Sequence, residues 1–458
     1  MAAQVRHEHW SSRFAFLMAA IGSAVGLGNI WRFPFITGEN GGGAFILIYL
    51  VTTALIALPI LIAEVMLGRM GQQSPINAMR AVAQKAGRSK FWVIIGIGST
   101  LGAFVVLSYY SVIGGWAIRY FLYAVSGTFS GMDNAASKDL FDAFTADAGQ
   151  VVLWHTVFIG INVGIVIWGL HAGIEKAVTI LMPLLFILLV GMAIYSSTTP
   201  GFDKAVTFLF DFDFSRVTSI TFLTAIGQGF FSVSVALGAM MTYGAYLDKS
   251  ENIARAGIII AIADTMVAIL AGMVIFPLVF SYGLAAGSGP GLIFVTLPIT
   301  LGKLGTGIEL GAAFFLLLIV AAVTSAISLL EPVVSWAEES LGVKRKVSAA
   351  AMGAAAWFVG LGSAFSFNIW SDFHPLSGIH IFADKTIFDA LDLTSTSLVM
   401  PTVGLLIALF AGWALSAETA AEALNVDPNA AWFRWWRFLI RYVAPLGVVS
   451  IFVANGLA

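Results

Sequence analysis

The sequence predicts an all-α polytopic membrane protein: eleven transmembrane helices arranged as a five-plus-five inverted repeat, with helices 1 and 6 discontinuous. Three observations carry this. Of 458 residues, 59% are hydrophobic and only 10% charged, with a mean hydropathy of +0.92, whereas soluble domains carry roughly 25% charge. The apolar residues gather into segments long enough to cross a hydrocarbon core about 30 Å thick. Two of those segments, the first and the sixth, are interrupted in mid-span by glycines and polar residues.

Segment 1 covers 13–36 and contains Gly22-Ser23-Ala24-Val25-Gly26-Leu27-Gly28-Asn29-Ile30-Trp31-Arg32-Phe33-Pro34. Each glycine costs a helix about 1 kcal/mol relative to alanine, and Asn29 and Arg32 then follow at membrane depth. A broken backbone survives in lipid only where protein or a water-filled cavity surrounds it. Carbonyls freed at such a break can hold a cation, and the N–H groups opening the second half-helix can hold an anion. Close helix packing is the alternative use of such glycines. Segments 2 to 5 cover 42–69, 91–125, 150–170 and 174–196. Segment 6, 218–246, carries the second interruption, Gly227-Gln228-Gly229-Phe230-Phe231-Ser232-Val233-Ser234-Val235-Ala236-Leu237-Gly238. Segments 7 to 11 cover 254–284, 308–340, 346–366, 390–416 and 433–456. Those longer than about 25 residues imply tilt or extension beyond the bilayer.

Irregular helices at corresponding positions of two halves point to an inverted-repeat transporter with its site near the midplane. The chain therefore reads as one transmembrane domain over 1–458, with repeat one over about 10–196, repeat two over about 218–416, and an additional helix over about 433–456. The interruptions alternate in character. Short basic ones carry Arg69, Arg80, Lys85, Arg88 and Lys90; Lys176; Lys249 and Arg255; Lys344-Arg345-Lys346; and Arg434, Arg437 and Arg441. Longer mixed ones cover 126–149, 197–217, 285–307 and 367–389. The positive-inside rule puts the first set and the N-terminus in the cytoplasm; the cell inner (plasma) membrane is the expected location. An odd number of spans then puts Asn455 to Ala458 outside. Met1 to Trp10 shows no cleavage signature, so the first segment is expected to remain a membrane helix.

Several chemistries are excluded. With no cysteine there are no disulfides, Cys-ligated zinc or thiol catalysis. Gly26-x-Gly28 lacks the third glycine and the strand of a dinucleotide fingerprint, and no phosphate loop, HExxH or GxSxG occurs. His7, His9, His155, His171, His374 and His380 are scattered without metal spacing. Basic residues cluster at membrane edges, which speaks for topology and against nucleic acid as a partner. No nucleophile–base pair marks an enzyme.

The embedded polar residues need accounting. Asp264 sits inside segment 7, where a carboxylate usually faces a cavity, an ion or a partner. Thr324 and Ser325, taken alone, read as hydroxyls bonded to their own helix backbone. Glu64 and Glu331 read as structural: paired with a basic residue (Arg69 lies one turn beyond Glu64), or bonded to backbone freed by a break. Tyr109 and Tyr110 fit packing and substrate contact equally well.

The motifs Gly26-Leu27-Gly28-Asn29-Ile30-Trp31-Arg32-Phe33-Pro34 and Glu39-Asn40-Gly41-Gly42-Gly43-Ala44-Phe45 strongly resemble the neurotransmitter:sodium symporter family and its bacterial leucine-transporter members. The likeness continues through Gly227 to Ser232, Thr242-Tyr243, Gly272 to Phe276 and Val323-Thr324-Ser325. The resemblance implies a leucine-transporter-like fold and sodium-coupled symport of amino acids by alternating access. It implies a first sodium site of Ala24, Asn29, Ser232 and Asp264, and a second of Gly22, Val25, Ala321, Thr324 and Ser325. This context reassigns the segment-8 hydroxyls as ligands, in keeping with the oxygen-rich shells of hard cations. The implied substrate site holds Ala24, Gly26, Leu27, Gly28, Val106, Tyr110, Phe231, Ser232, Ser234, Ala236, Leu237, Ala326 and Leu329. An Arg32–Asp392 pair is implied as the outer gate, with Trp10, Tyr246 and Glu339 closing the cytoplasmic side.

The chain departs from the family pattern in places. Gly26 stands where monoamine carriers place an acid, which favours amino acids over amines. The two implied sites call for two Na⁺; Asp264 stands where asparagine is common, and with Ala268 at the alternative carboxylate position it is the built-in carboxylate that can replace chloride, so chloride is not expected. The inner-gate arginine position is His7, with Arg6 beside it, which leaves the partner of Glu339 open. Ala236 and Leu237 alter the side-chain pocket, so the substrate's identity stays open, an amine or non-α amino acid included. A ligand-gated sodium channel and a non-transporting amino-acid sensor are the competing classes. Counterflow in vesicles separates the first, and uptake without a partner protein the second. The sequence leaves the oligomeric state undetermined.

Overall fold

The structure, a computed structural model, describes residues 8–284 and 291–454. Among the described residues, nine helices are long and apolar enough to cross a membrane: Gly43–Gly71, Lys90–Val125, Ala148–Val166, Leu170–Ser196, Ile253–Ser281, Gly307–Leu341, Arg345–Phe365, Ile387–Ala414 and Ala431–Val453. They fill predicted segments 2 to 5 and 7 to 11 and are called spans by those numbers. Span 1 is the bent pair Arg13–Ala24 and Gly28–Glu39, turning by 47°. Span 6 is split into Ser219–Ser232 and Ala239–Ala245.

Burial orders the bundle. Span 8 has 83% of its apolar window buried, against 28% for spans 5 and 11, so span 8 is the central post and the others face lipid. Spans 3 and 8 make the most extensive helix contact. Small residues permit such approach, since lipid offers no hydrophobic push between helices. At Gly114 a Cβ would stand 2.5 Å from the Phe158 ring, and at Gly68 one would stand 1.9 Å from the Met241 carbonyl oxygen. Gly68 thus lets span 2 lie directly against the inner half of span 6.

Helices also form within the longer interruptions: Asn134–Ala146, Phe202–Phe210 and Leu292–Gly302. The last corrects the reading of 285–307 as a connector. Leu292, Ile293 and Phe294 are buried, and Phe294 stacks among Trp116, Tyr120 and Phe141. Eleven apolar residues holding a proline are too short to register as a span. The expectation for Asn455 to Ala458 lies outside the described residues.

Candidate functional site

Span 1 begins at Ser12, whose hydroxyl accepts the Ala15 N–H at 3.1 Å. It breaks where Val25 turns to extended backbone (ψ 100°) and resumes at Gly28. In a continuous helix the N–H groups of Gly26 and Leu27 would serve the carbonyls of Gly22 and Ser23. Here Gly26 N–H donates to Asn29 Oδ1 at 3.1 Å, and Leu27 N–H donates to Tyr110 Oη at 3.2 Å. Asn29 N–H, the helical partner of Val25, turns to the Gly26 carbonyl instead. Three carbonyls are thereby freed. All three converge on Ser325 Oγ of span 8: Gly22 at 3.2 Å, Ser23 at 3.2 Å and Val25 at 3.3 Å.

A hydroxyl has one proton; the Ser23 carbonyl also accepts from Ser234 at 2.8 Å, so Gly22 and Val25 are the two that depend on Ser325. The neighbouring Thr324 hydroxyl lies 3.1 Å from both the Val320 and Ala321 carbonyls of its own helix. Gly22, Val25 and Ser325 therefore meet at one point, with Thr324 packed beside Gly22 and its hydroxyl turned to the Val320 and Ala321 carbonyls.

Span 6 breaks over 233–238. Ser234 (φ 54°), Ala236 (φ 69°) and Gly238 (φ 73°) all adopt left-handed backbone, which costs an L-residue about 1–2 kcal/mol. Glu64 of span 2 holds the break open: its carboxylate accepts the N–H of Ala236 at 2.7 Å and of Gly238 at 3.0 Å. Of the two structural roles expected for Glu64, bonding to freed backbone is the one found. Arg69 instead donates to the carbonyls of Glu251, at 2.5 Å, and Ala423.

A second polar cluster lies between the breaks. Asn29 Nδ2 donates to Asp264 Oδ1 at 2.7 Å and lies 3.0 Å from both Ser232 Oγ and the Asp264 carbonyl. Ser232 Oγ donates to Asp264 Oδ2 at 2.8 Å. Tyr49 Oη of span 2, which sequence reasoning missed, donates to the same Oδ2 at 3.1 Å. Its signal was a lone hydroxyl at mid-depth just beyond the Gly41-Gly42-Gly43 motif. Asn29, Ser232 and Asp264 are fully buried, so the cluster is shut off from bulk water.

Of the expected substrate residues, Tyr110, Val106, Ala236, Leu237, Ala326 and Leu329 are buried, and Tyr110 meets the span-1 break at Leu27. A Cβ at Gly28 would stand 2.9 Å from the Phe231 ring, and one at Gly26 would stand 2.4 Å from Ser325 Oγ, so both glycines admit close neighbours. Ser234 links the two interrupted spans: its hydroxyl donates to the Ser23 carbonyl at 2.8 Å. Left-handed backbone at Ser234 turns its side chain toward span 1. Tyr109 also separates from Tyr110, since its hydroxyl pairs with Ser395 of span 10 at 3.0 Å.

The gates need correction. Arg32 and Asp392 form no ion pair within 4 Å; the Arg32 guanidinium lies over the Phe231 ring, 4.5 Å from its centroid. Both side chains are partly exposed, where an ion pair is worth about 0–1 kcal/mol and a cation–π contact competes with it. On the cytoplasmic side, Glu339 accepts from Ser74 N–H at 2.8 Å, Ser74 Oγ at 2.6 Å and Asn77 Nδ2 at 2.9 Å. It serves the N-terminus of helix Pro75–Lys85, where the helix dipole favours an anion. Arg6 and His7 lie outside the described residues.

Tyr246 bonds Glu331 Oε1 at 2.8 Å rather than Glu339, and Arg345 grips Glu331 at 3.0 and 2.5 Å. Of the two structural roles expected for Glu331, pairing with a basic residue is the one found, and the sequence did not single out Arg345 as its partner. Trp10 packs against Tyr243 and Tyr246 and donates its indole N–H to the Tyr243 carbonyl at 3.0 Å.

The family model described as the sodium:neurotransmitter symporter family matches residues 7–137 and 134–457. An uncharacterized sodium-dependent transporter of Bacillus subtilis is 36% identical over 446 residues, spanning 97% of this chain and 96% of that one. An uncharacterized sodium-dependent transporter of Haemophilus influenzae is 33% identical, spanning 98% of each. Among solved structures, MhsT in complex with L-phenylalanine superposes with a TM-score of 0.90 at 37% identity, covering 98% of this chain and 99% of that one.

Proposed function

The chain belongs to the sodium:neurotransmitter symporter family, a family of transporters and not of enzymes, and we propose that it is a two-sodium amino-acid symporter working by alternating access. One observation carries the reading: the freed Gly22 and Val25 carbonyls of span 1 compete for the single hydroxyl proton of Ser325, while the Ser23 carbonyl between them already accepts from Ser234. A hard cation at that point satisfies Gly22 and Val25 at once, with Thr324 and Ala321 completing the shell. The second ion sits between Ala24, Asn29, Ser232 and Asp264. A half-turn of the Asn29 carboxamide exchanges nitrogen for oxygen there, and the cation then bridges oxygens that would otherwise repel.

The substrate carboxylate takes the Tyr110 hydroxyl and the N–H groups near Leu27 and Gly28, and shares the first sodium. Each ligand thereby improves the other's site, and this reciprocity is the coupling. An amino acid fits because Gly26 offers no acid to replace a substrate carboxylate, and a relative of the same fold is titled as binding L-phenylalanine. Asp264 supplies the negative charge beside Tyr49 and Ser232 that chloride would otherwise bring. Phe231 with Arg32 above it closes the outer side, and Trp10 with Tyr246 the inner.

The test is a screen of amino acids for thermal stabilisation of purified protein in NaCl, sodium gluconate and KCl. Stabilisation by at least one amino acid in both sodium salts, absent in potassium, is expected. Equal effects in KCl would refute sodium coupling, and an effect confined to NaCl would refute chloride independence.

A further inference from the structure

Span 11 starts with Ala431–Phe438, whose residues Trp432, Arg434, Trp435, Trp436 and Arg437 form a dense aromatic and basic cluster. Two of these face inward: Trp436 donates its indole N–H to the Pro59 carbonyl at 3.1 Å, and Arg437 caps the end of span 10 through the Ala411 and Leu415 carbonyls at 3.3 and 2.8 Å. One turn on, Arg441 lies 4.4 Å from the centroid of the Trp413 ring. Arg434 differs. It is exposed and, among the described residues, has neither a hydrogen-bond nor an ion-pair partner for its side chain.

Arg434, Ala431, Trp435 and Phe438 enclose a groove of about 360 Å³. Ala430 gives the helix no side-chain cap, and its first internal bond runs from Arg434 N–H. The opening N–H groups, which favour an anion, therefore lie at the groove's Ala431 end. In the other direction Phe438, Tyr442 and Leu446 follow at four-residue spacing, 47%, 44% and 71% exposed, making one apolar track toward the bilayer centre.

The basic run puts this end of span 11 at the cytoplasmic headgroup level. We propose that the groove binds an anionic phospholipid of the cytoplasmic leaflet. Arg434 and the uncapped N–H groups take the phosphodiester, in the paired geometry that guanidinium offers phosphate. Trp435 sits at the glycerol level, where an indole's apolar body and polar tip both find partners. One acyl chain follows Phe438, Tyr442 and Leu446. Charge selects the occupant: Arg437 and Arg441 add positive potential, Glu418 acts on Arg437 only from beyond 4 Å and no carboxylate pairs with Arg434 or Arg441, and a zwitterionic lipid would bring its own cation into that field.

The experiment is native mass spectrometry of delipidated full-length protein titrated with phosphatidylglycerol or phosphatidylcholine of identical chains, with inorganic phosphate as competitor. Wild type should prefer phosphatidylglycerol by about tenfold. Arg434→Gln should remove that preference, while Arg255→Gln, an exposed cytoplasmic arginine elsewhere, should keep it. Millimolar phosphate should not displace the lipid. Equal binding of the two lipids, an equal loss in Arg255→Gln, or displacement by phosphate would each overturn the proposal.

Discussion

Ser325, Thr324 and Asn29 matter for the oxygens they bring to a place that already has too few protons. Thr324→Ala deletes one oxygen without disturbing the span-1 carbonyls, and Asn29→Ala deletes the amide that spans both breaks. Both variants should fold and reach the membrane yet lose sodium-dependent uptake in proteoliposomes; wild-type uptake in either would discredit the site. Tyr110→Phe removes the hydroxyl that meets Leu27 N–H at 3.2 Å and should weaken substrate binding about tenfold, roughly the 1.4 kcal/mol of one good hydrogen bond, as read by radioligand saturation. Asn29 was legible because a polar group at membrane depth has to be explained, whereas Thr324 and Ser325 read by themselves as hydroxyls bonded to their own helix and entered only through the family resemblance. The partners of Glu339 were left open, because what a side chain meets at a helix end depends on backbone geometry that spacing does not carry. Tyr49 was overlooked because one tyrosine in an apolar run resembles packing until Asp264 is seen opposite it.

At the scale of elements, the span-6 break is held by a carboxylate from a different helix. Glu64→Ala leaves the Ala236 and Gly238 N–H groups without their partner in a buried position, at about 1–3 kcal/mol each. It should lower the thermal midpoint and abolish substrate binding together, in a stability scan and a binding assay on one preparation. Glu64→Gln, which retains an acceptor oxygen, should recover part of both. Gly68→Ala should also destabilise, because its methyl would meet the Met241 carbonyl oxygen at 1.9 Å; a midpoint equal to wild type would show that span 2 and inner span 6 are not packed as described. The interruptions themselves were readable from glycine density. The prop was not: Glu64 precedes the break by 172 positions in the chain, and one acid in a span does not announce which backbone it serves. Leu292–Gly302 escaped for a related reason, being apolar but too short to cross.

For the whole molecule, lipid-facing length and basic edges carried the span count and boundaries, since a bilayer imposes one thickness on every helix. The arrangement of spans around span 8 required three-dimensional contact and came from the structure. Two sodium ions moving through 100 mV supply about 4.6 kcal/mol, and a tenfold gradient adds about 1.4 kcal/mol per ion. The total of about 7 kcal/mol corresponds to an accumulation near 10⁵-fold at full coupling. A tracer ratio of two Na⁺ per substrate follows, and a ratio of one would remove either the Ser325 or the Asp264 site from the cycle. The most direct measurement is uptake of the stabilising amino acid into proteoliposomes under an inward sodium gradient, with an inward potassium gradient as control. Concentrative uptake with sodium and none with potassium is the result the two broken spans require; uphill accumulation under potassium alone would contradict them.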